Sequence, residues 1–173
     1  AIARYPHQAD RARMMGAAEV LPADPAAIIE RIAVLAGTPL LRPWRGLPWL
    51  MRGAGIVYDT IGSPSSIETA IRVASPRATI AVSGVEAPRR FEWTPIYFKE
   101  LSLAGSNAFA IETFRGRRMH AMEAYFELVH EGLDLTPLVT HRFTLDRYRE
   151  AFLALADHGR SGAVKAVFDF GSG

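Results

Sequence analysis

The chain has no cysteine among its 173 residues, which excludes a disulfide framework and every thiolate metal site. Lysine is nearly absent too: Lys99 and Lys165 stand alone, and arginine supplies the rest of the 20 basic residues. The pI of ≈ 9.2 is not matched by charge, since a net +2 is too weak a field to gather nucleic acid. No run of about 18 apolar residues is available to span a bilayer, and the start of the chain lacks the basic, apolar and small-residue succession of a secretory signal. These absences predict a cytoplasmic protein with neither membrane nor nucleic acid as partner. The five histidines (7, 120, 130, 141 and 158) offer no i, i+4 pair that would grip a metal from one helical face. What remains is 49% apolar residues, enough for a core without metal or bridges.

Strand and helix signals alternate through the first half. Ala1-Ile2-Ala3 reads as a short apolar strand with nothing before it, so the sheet is expected to be incomplete at that end. Pro6 opens a helix that Gly16 ends, and Glu19-Val20-Leu21 is strand-like. Asp24 as N-cap, Pro25 as first helical residue, Ile28, Ile29, Ile32 and Leu35 as one face, and Gly37 as stop define a second helix. Residues 38 to 54 break the rhythm with three Pro, two Trp and three Arg. This insertion reads as a loop packed on the protein, with a partner surface, a lipid-facing patch or a substrate lid as alternatives. The alternation resumes with a strand at 55–59, a helix opened by Ser63-Pro64 with Ile67, Ala70, Ile71 and Ala74 on one face, and a strand at 79–83. Such an order predicts an α/β fold, a parallel sheet with helices on both faces and right-handed crossovers.

The second half reads differently, and an α+β segment is expected there. A strand at 101–103 precedes a long helix from about Arg115 to His130, with Met119, Met122, Phe126 and Val129 inward and Arg115, Arg117 and Arg118 on a solvated face. A strand at 138–143, a helix N-capped by Thr144 and a strand at 163–170 close the chain.

Three groups of segments, taken together, resemble the C-terminal half of the medium-chain dehydrogenases, the zinc-dependent alcohol and threonine dehydrogenase family. The first is Arg11-Ala12-Arg13-Met14-Met15-Gly16-Ala17. The second is Val57-Tyr58-Asp59-Thr60-Ile61-Gly62-Ser63 with Ile80-Ala81-Val82-Ser83-Gly84-Val85. The third is Lys99-Glu100-Leu101-Ser102-Leu103-Ala104-Gly105-Ser106, followed by the stretches 137–143 and 162–167. The resemblance implies a partial Rossmann-like, dinucleotide-binding domain over residues 1–108. Residues 109–173 would then complete the catalytic domain of a longer enzyme. It also implies that the zinc ligands and the Gly-rich diphosphate loop belong to a missing N-terminal part. The chain is therefore expected to hold no catalytic or metal-ligating residue of its own and to be inactive alone.

In dinucleotide-binding sheets an acidic residue ending the second strand bonds the ribose hydroxyls, whereas a small residue beside an arginine accommodates a 2′-phosphate. Counted back from Gly16, that position is Ala3 with Arg4 beside it, which points to NADP(H) over NAD(H); the plain alternative is one more solvated arginine. His7 and Gln8 would line the same pocket. Thr60, Ile61 and Gly62 end one strand, and Ser83, Gly84 and Val85 end the next. There the resemblance implies backbone close to adenosine and nicotinamide respectively, with glycine permitting the approach. By the same resemblance Ser106 and Ala108 bond the nicotinamide carboxamide, Lys165 reaches the diphosphate, and His141 is structural. The implied reaction passes hydride between the nicotinamide and a small alcohol, aldehyde or ketone. The family pairs subunits through its last sheet strand, here near Leu101 to Leu103, implying a homodimer or homotetramer. A second reading is a non-catalytic oligomerisation module.

Overall fold

The structure, a computed structural model, describes residues 1–86, 89–107 and 109–171. In chain order the elements are β1 (Ile2–Ala3), α1 (Pro6–Met14), β2 (Leu21–Pro22), α2 (Pro25–Ala36), β3 (Ala54–Asp59) and α3 (Pro64–Val73). Next come β4 (Ala74–Val82), α4 (Thr94–Phe98), β5 (Ser102–Gly105), β6 (Ile111–Phe114), β7 (Arg117–His120) and α5 (Ala121–His130). The chain ends with β8 (Val139–Phe143), α6 (Tyr148–Ala156), α7 (His158–Ser161) and β9 (Lys165–Phe168). Two compact units result, Ala1–Pro22 with Phe109–Gly173, and Ala23–Ala108.

The second unit is built on a parallel three-stranded sheet in the order β3-β4-β5. Its helices start where caps are strongest. Asp24 accepts from the Ala27 N–H at 2.8 Å ahead of Pro25, and Ser63 accepts from the Ser66 N–H at 3.1 Å ahead of Pro64. Gly37 ends α2 in the left-handed region. The core joins Ala70 and Ile71 of α3 to Ala74, Ala78 and Ile80 of β4, with Val57 and Leu101 against them. Complete burial of Ile71 and of Ile80 contributes about 1.5–3 kcal/mol each. The opposite face of β3 is open: Tyr58 is 75% exposed.

The insertion is a hairpin packed on this unit rather than a free loop. Leu41 and Trp49 exchange two backbone hydrogen bonds of 3.0 Å, and Leu50 is wholly buried, its N–H bonded to the Arg72 carbonyl at 3.0 Å. Arg52 donates to the carbonyls of Ala36 and Gly37 at 2.8 and 2.9 Å, capping α2 from the hairpin's return strand. Two buried cations hold the rest. The Arg72 guanidinium, ion-paired with Glu68 at 2.7 Å, donates to the Leu47 carbonyl. The Lys99 ammonium donates to the carbonyls of Leu50, Arg72 and Ala74 at 3.3, 3.1 and 2.6 Å.

In the first unit β1 pairs with β2 in parallel, Ile2 opposite Leu21 and Ala3 opposite Pro22, with α1 between them in sequence. The segment 139–168 is a β8-α6-α7-β9 unit whose two strands are parallel. Here the long helix expected from Arg115 is corrected: 111–120 is an antiparallel hairpin, and only Ala121–His130 is helical. The reason is turn chemistry. Arg115 (φ 51°) and Gly116 (φ 78°) both lie in the left-handed region, which gives the two-residue turn whose twist suits a hairpin. The arginines expected on a solvated helix face sit on this hairpin, where Arg115 pairs with Glu131 and Arg117 with Glu127 of the following helix and its end. Thr144 is likewise not a side-chain cap; a 3₁₀ turn at Leu145–Arg147 leads into α6.

Candidate functional site

The register of the three-stranded sheet sets Asp59 opposite Val82 and Val82 opposite Gly105. Thr60 to Gly62, Ser83 to Val85 and Ser106 therefore leave the sheet at one rim, the carboxyl ends of parallel strands, where ligands of open α/β sheets bind. Asp59 organises that rim. It is buried, its Oδ1 accepts from the N–H groups of Ile61 and Gly62 at 2.9 and 3.0 Å, and its Oδ2 accepts from Ser66 Oγ at 2.9 Å. The Asp59 carbonyl in turn accepts from Ser83 N–H at 2.9 Å, and Val82 carbonyl from Ser106 N–H at 2.8 Å. In the sequence Asp59 is no more than the last residue of a strand. Its position ahead of a helix-capping Ser-Pro is the available signal.

Gly62 and Gly84 are glycine because their loops touch each other. A Cβ on Gly62, at φ +67°, would lie 1.9 Å from the Gly84 carbonyl oxygen, and one on Gly84 would lie 2.2 Å from that of Thr60. The glycines make the rim a single welded edge. Gly84 is half-buried, while Ser83, Val85, Thr60 and Ile61 are exposed, so the surface of the edge is open to a ligand.

At the end of β1, Ala3 is half-buried and Arg4 exposed, with its guanidinium 5.5 Å from the centre of the Tyr5 ring and no ion pair among the described residues. Gln8 acts locally, its side-chain oxygen accepting from the N–H groups of Arg4 and Tyr5 at 3.2 and 3.3 Å, so it shapes the turn that presents Arg4. Tyr5 is wedged between His7, stacked at 5.6 Å, and His158, edge-on at 5.1 Å, and a Cβ on Gly159 would lie 2.8 Å from the ring. His7 Nε2 is buried without a hydrogen-bond partner among the described residues. The partnership of Tyr5 with His158 joins opposite ends of the chain, and no local pattern reveals it.

Lys165 is exposed at the start of β9, its charge in solvent as an apolar strand requires. His141 Nδ1 lies 3.0 Å from Thr140 Oγ and its ring stacks on Phe143 at 6.1 Å. Ala108 lies outside the described residues. Lys99 is the ionisable group that sequence reasoning misses: fully buried, its ammonium is pushed down to about 8, first by burial and then by the Arg72 charge. Among the described residues no cluster of three His, Asp or Glu is placed to hold a metal, and no helix is long and apolar enough to cross a membrane.

A parallel sheet with its helical crossovers and a loop rim at its carboxyl ends defines a Rossmann-like class of fold. The family is narrower. The zinc-binding dehydrogenase family profile matches residues 1–124, and the chain belongs to that family, with the alcohol and threonine dehydrogenases. L-threonine 3-dehydrogenase of Serratia proteamaculans is 29% identical over 124 residues, covering 69% of this chain and 33% of that protein. The enzyme of the same name from Paraburkholderia xenovorans is 31% identical over 119 residues, covering 66% and 32%. Among solved structures, benzyl alcohol dehydrogenase from Acinetobacter calcoaceticus superposes with a TM-score of 0.73 at 14% identity, over 99% of this chain and 42% of that one. The short chain alcohol dehydrogenase rspB from Escherichia coli CFT073, complexed with NADH, gives 0.71 at 20% identity, over 98% and 43%. The chain thus spans about a third of the length of the curated relatives it matches.

Proposed function

We propose that this chain holds NADP(H) within a zinc-type alcohol dehydrogenase, with residues 1–108 binding the dinucleotide and 109–173 completing the catalytic domain. The observation that carries the reading is the common rim, where Thr60 to Gly62, Ser83 to Val85 and Ser106 leave parallel strands side by side. When bound, the nicotinamide supplies the hydride exchanged with a small alcohol, aldehyde or ketone. The chain's own residues bind and orient it. Arg4 donates charge-assisted hydrogen bonds to the 2′-phosphate, and Ala3 withholds the carboxylate that would repel it. The Thr60 to Gly62 backbone borders the adenosine, Ser83 to Val85 with Ser106 and Ala108 border the nicotinamide, and Lys165 reaches the diphosphate. Zinc belongs to the rest of the enzyme, and His141 takes no part in proton transfer. The protein acts in the cytoplasm.

Support for NADP(H) comes from Arg4, exposed beside a small residue and without an ion pair among the described residues. In the full-length enzyme, Arg4→Asp is expected to lower kcat/KM with NADPH about 10- to 150-fold while that with NADH holds or rises. An Arg4→Asp enzyme that keeps its preference for NADPH would sink the assignment.

A second reading rests on β5, which among the described residues pairs only with β4 and is exposed along its whole length, an edge open to strand pairing between subunits. Titration calorimetry that shows no heat with NADPH, together with a dimer in sedimentation, would favour an oligomerisation module over a cofactor holder.

A further inference from the structure

Trp44 is 98% exposed, at the tip of a hairpin whose base is pinned by the buried Arg72 and Lys99. A large apolar ring carried on a base anchored in this way is held out in solvent, where it gains from any contact that buries it. Beside the hairpin, Ala33, Val34 and Leu40 line an open concavity of ≈ 550 Å³ with Glu30 and Arg42 on its border. Val34 is itself 69% exposed. Knob and hollow therefore lie next to each other on one patch, the arrangement that a two-fold axis turns into two identical contacts.

The charges fit the same pairing. Arg45, next to the indole, makes no ion pair or hydrogen bond among the described residues, and Glu30 is met only by Arg42 at 3.9 Å, with both side chains more than half exposed. We propose that this patch is a self-association surface: Trp44 of each copy seats in the Glu30, Val34 and Leu40 hollow of a second copy, bringing Arg45 to the other's Glu30. Tryptophan and arginine are the residues that most often dominate such contacts. An anionic membrane would meet Arg42 and Arg45 but also Glu30, and would leave the hollow empty. The surface is separate from the β5 edge, and the inference does not depend on the dinucleotide reading.

Because the chain has no cysteine, single introduced cysteines report the geometry without background. Full chains carrying Pro43→Cys, mixed with chains carrying Thr38→Cys and oxidised mildly, are expected to form the mixed disulfide about tenfold or more faster than a control pair of Arg160→Cys with Thr38→Cys. Adding Trp44→Ala to the first pair is expected to abolish that advantage. In sedimentation equilibrium Trp44→Ala weakens self-association on the order of thirtyfold, Glu30→Arg weakens it also, and Glu30→Arg with Arg45→Glu recovers it. Cross-linking no faster than the control overturns the proposal, as does a dimer indifferent to Trp44→Ala or a monomer that binds phosphatidylglycerol vesicles through Trp44.

Discussion

Lys99 shows how a single side chain sets a pH window for the fold. Below pH 8 its ammonium is charged in folded and unfolded chains alike, and above about 10.5 it is neutral in both. Between those limits only the unfolded chain keeps the proton, so raising the pH favours folding. Relative to Lys99→Met, the unaltered chain is expected to gain roughly 2 kcal/mol of unfolding free energy between pH 7 and pH 9.5, read from urea denaturation at the two values. Parallel pH dependence in the two proteins would show that Lys99 does not titrate in that range. Nothing in the sequence advertises this role. Its acceptors are three main-chain carbonyls, and a carbonyl leaves no mark on residue identity. The role proposed for Arg4 rests on a count from Gly16 along one strand and one helix, whereas Asp59 looks like an ordinary strand end until its three donors are seen.

Among the elements, the welded rim is the most demanding. Gly84→Ala places a methyl group 2.2 Å from the Thr60 carbonyl oxygen, so backbone must move. The expected cost is about 1–3 kcal/mol in a thermal melt, with weaker dinucleotide binding alongside, because overpacked backbone contacts relax only by shifting. Gly105→Ala, one strand over, meets nothing within 4 Å and should change stability by less than about 0.5 kcal/mol. Equal effects of the two substitutions would contradict the loop-to-loop contact. Helices α2 and α3 can be read from sequence because cap, Pro and apolar spacing agree at each. The hairpin at 111–120 cannot, since Met119, Met122, Phe126 and Val129 recur at helical spacing and outweigh the Arg115-Gly116 turn. Of that set Met119 is buried, but from a strand.

For the whole molecule, apolar surface is the governing quantity. Phe152 (64% exposed) and Leu153 of α6, with Tyr58 on the open sheet face, leave large side chains in water. The chain studied by itself is expected to bind the dye ANS at neutral pH without denaturant. Phe152→Ser with Leu153→Ser should remove a substantial part of the fluorescence and change stability by less than about 0.5 kcal/mol. Absence of dye binding would mean that these side chains find cover. The parallel α/β plan is readable at this scale because the alternation of strand and helix is a property of the entire first half. The 38–54 hairpin is not, because its docking depends on Arg72 and Lys99 from other elements. Those two cations grip the peptide backbone at Leu47 and Leu50, and among the described residues the only hairpin ring either one faces is Trp49, 5.9 Å from the Lys99 ammonium, not the outward Trp44. Substitution of the outward residues of this appendage, Trp44 included, therefore leaves its backbone moorings in place, so what the tip presents to its surroundings can change while the scaffold beneath keeps its shape.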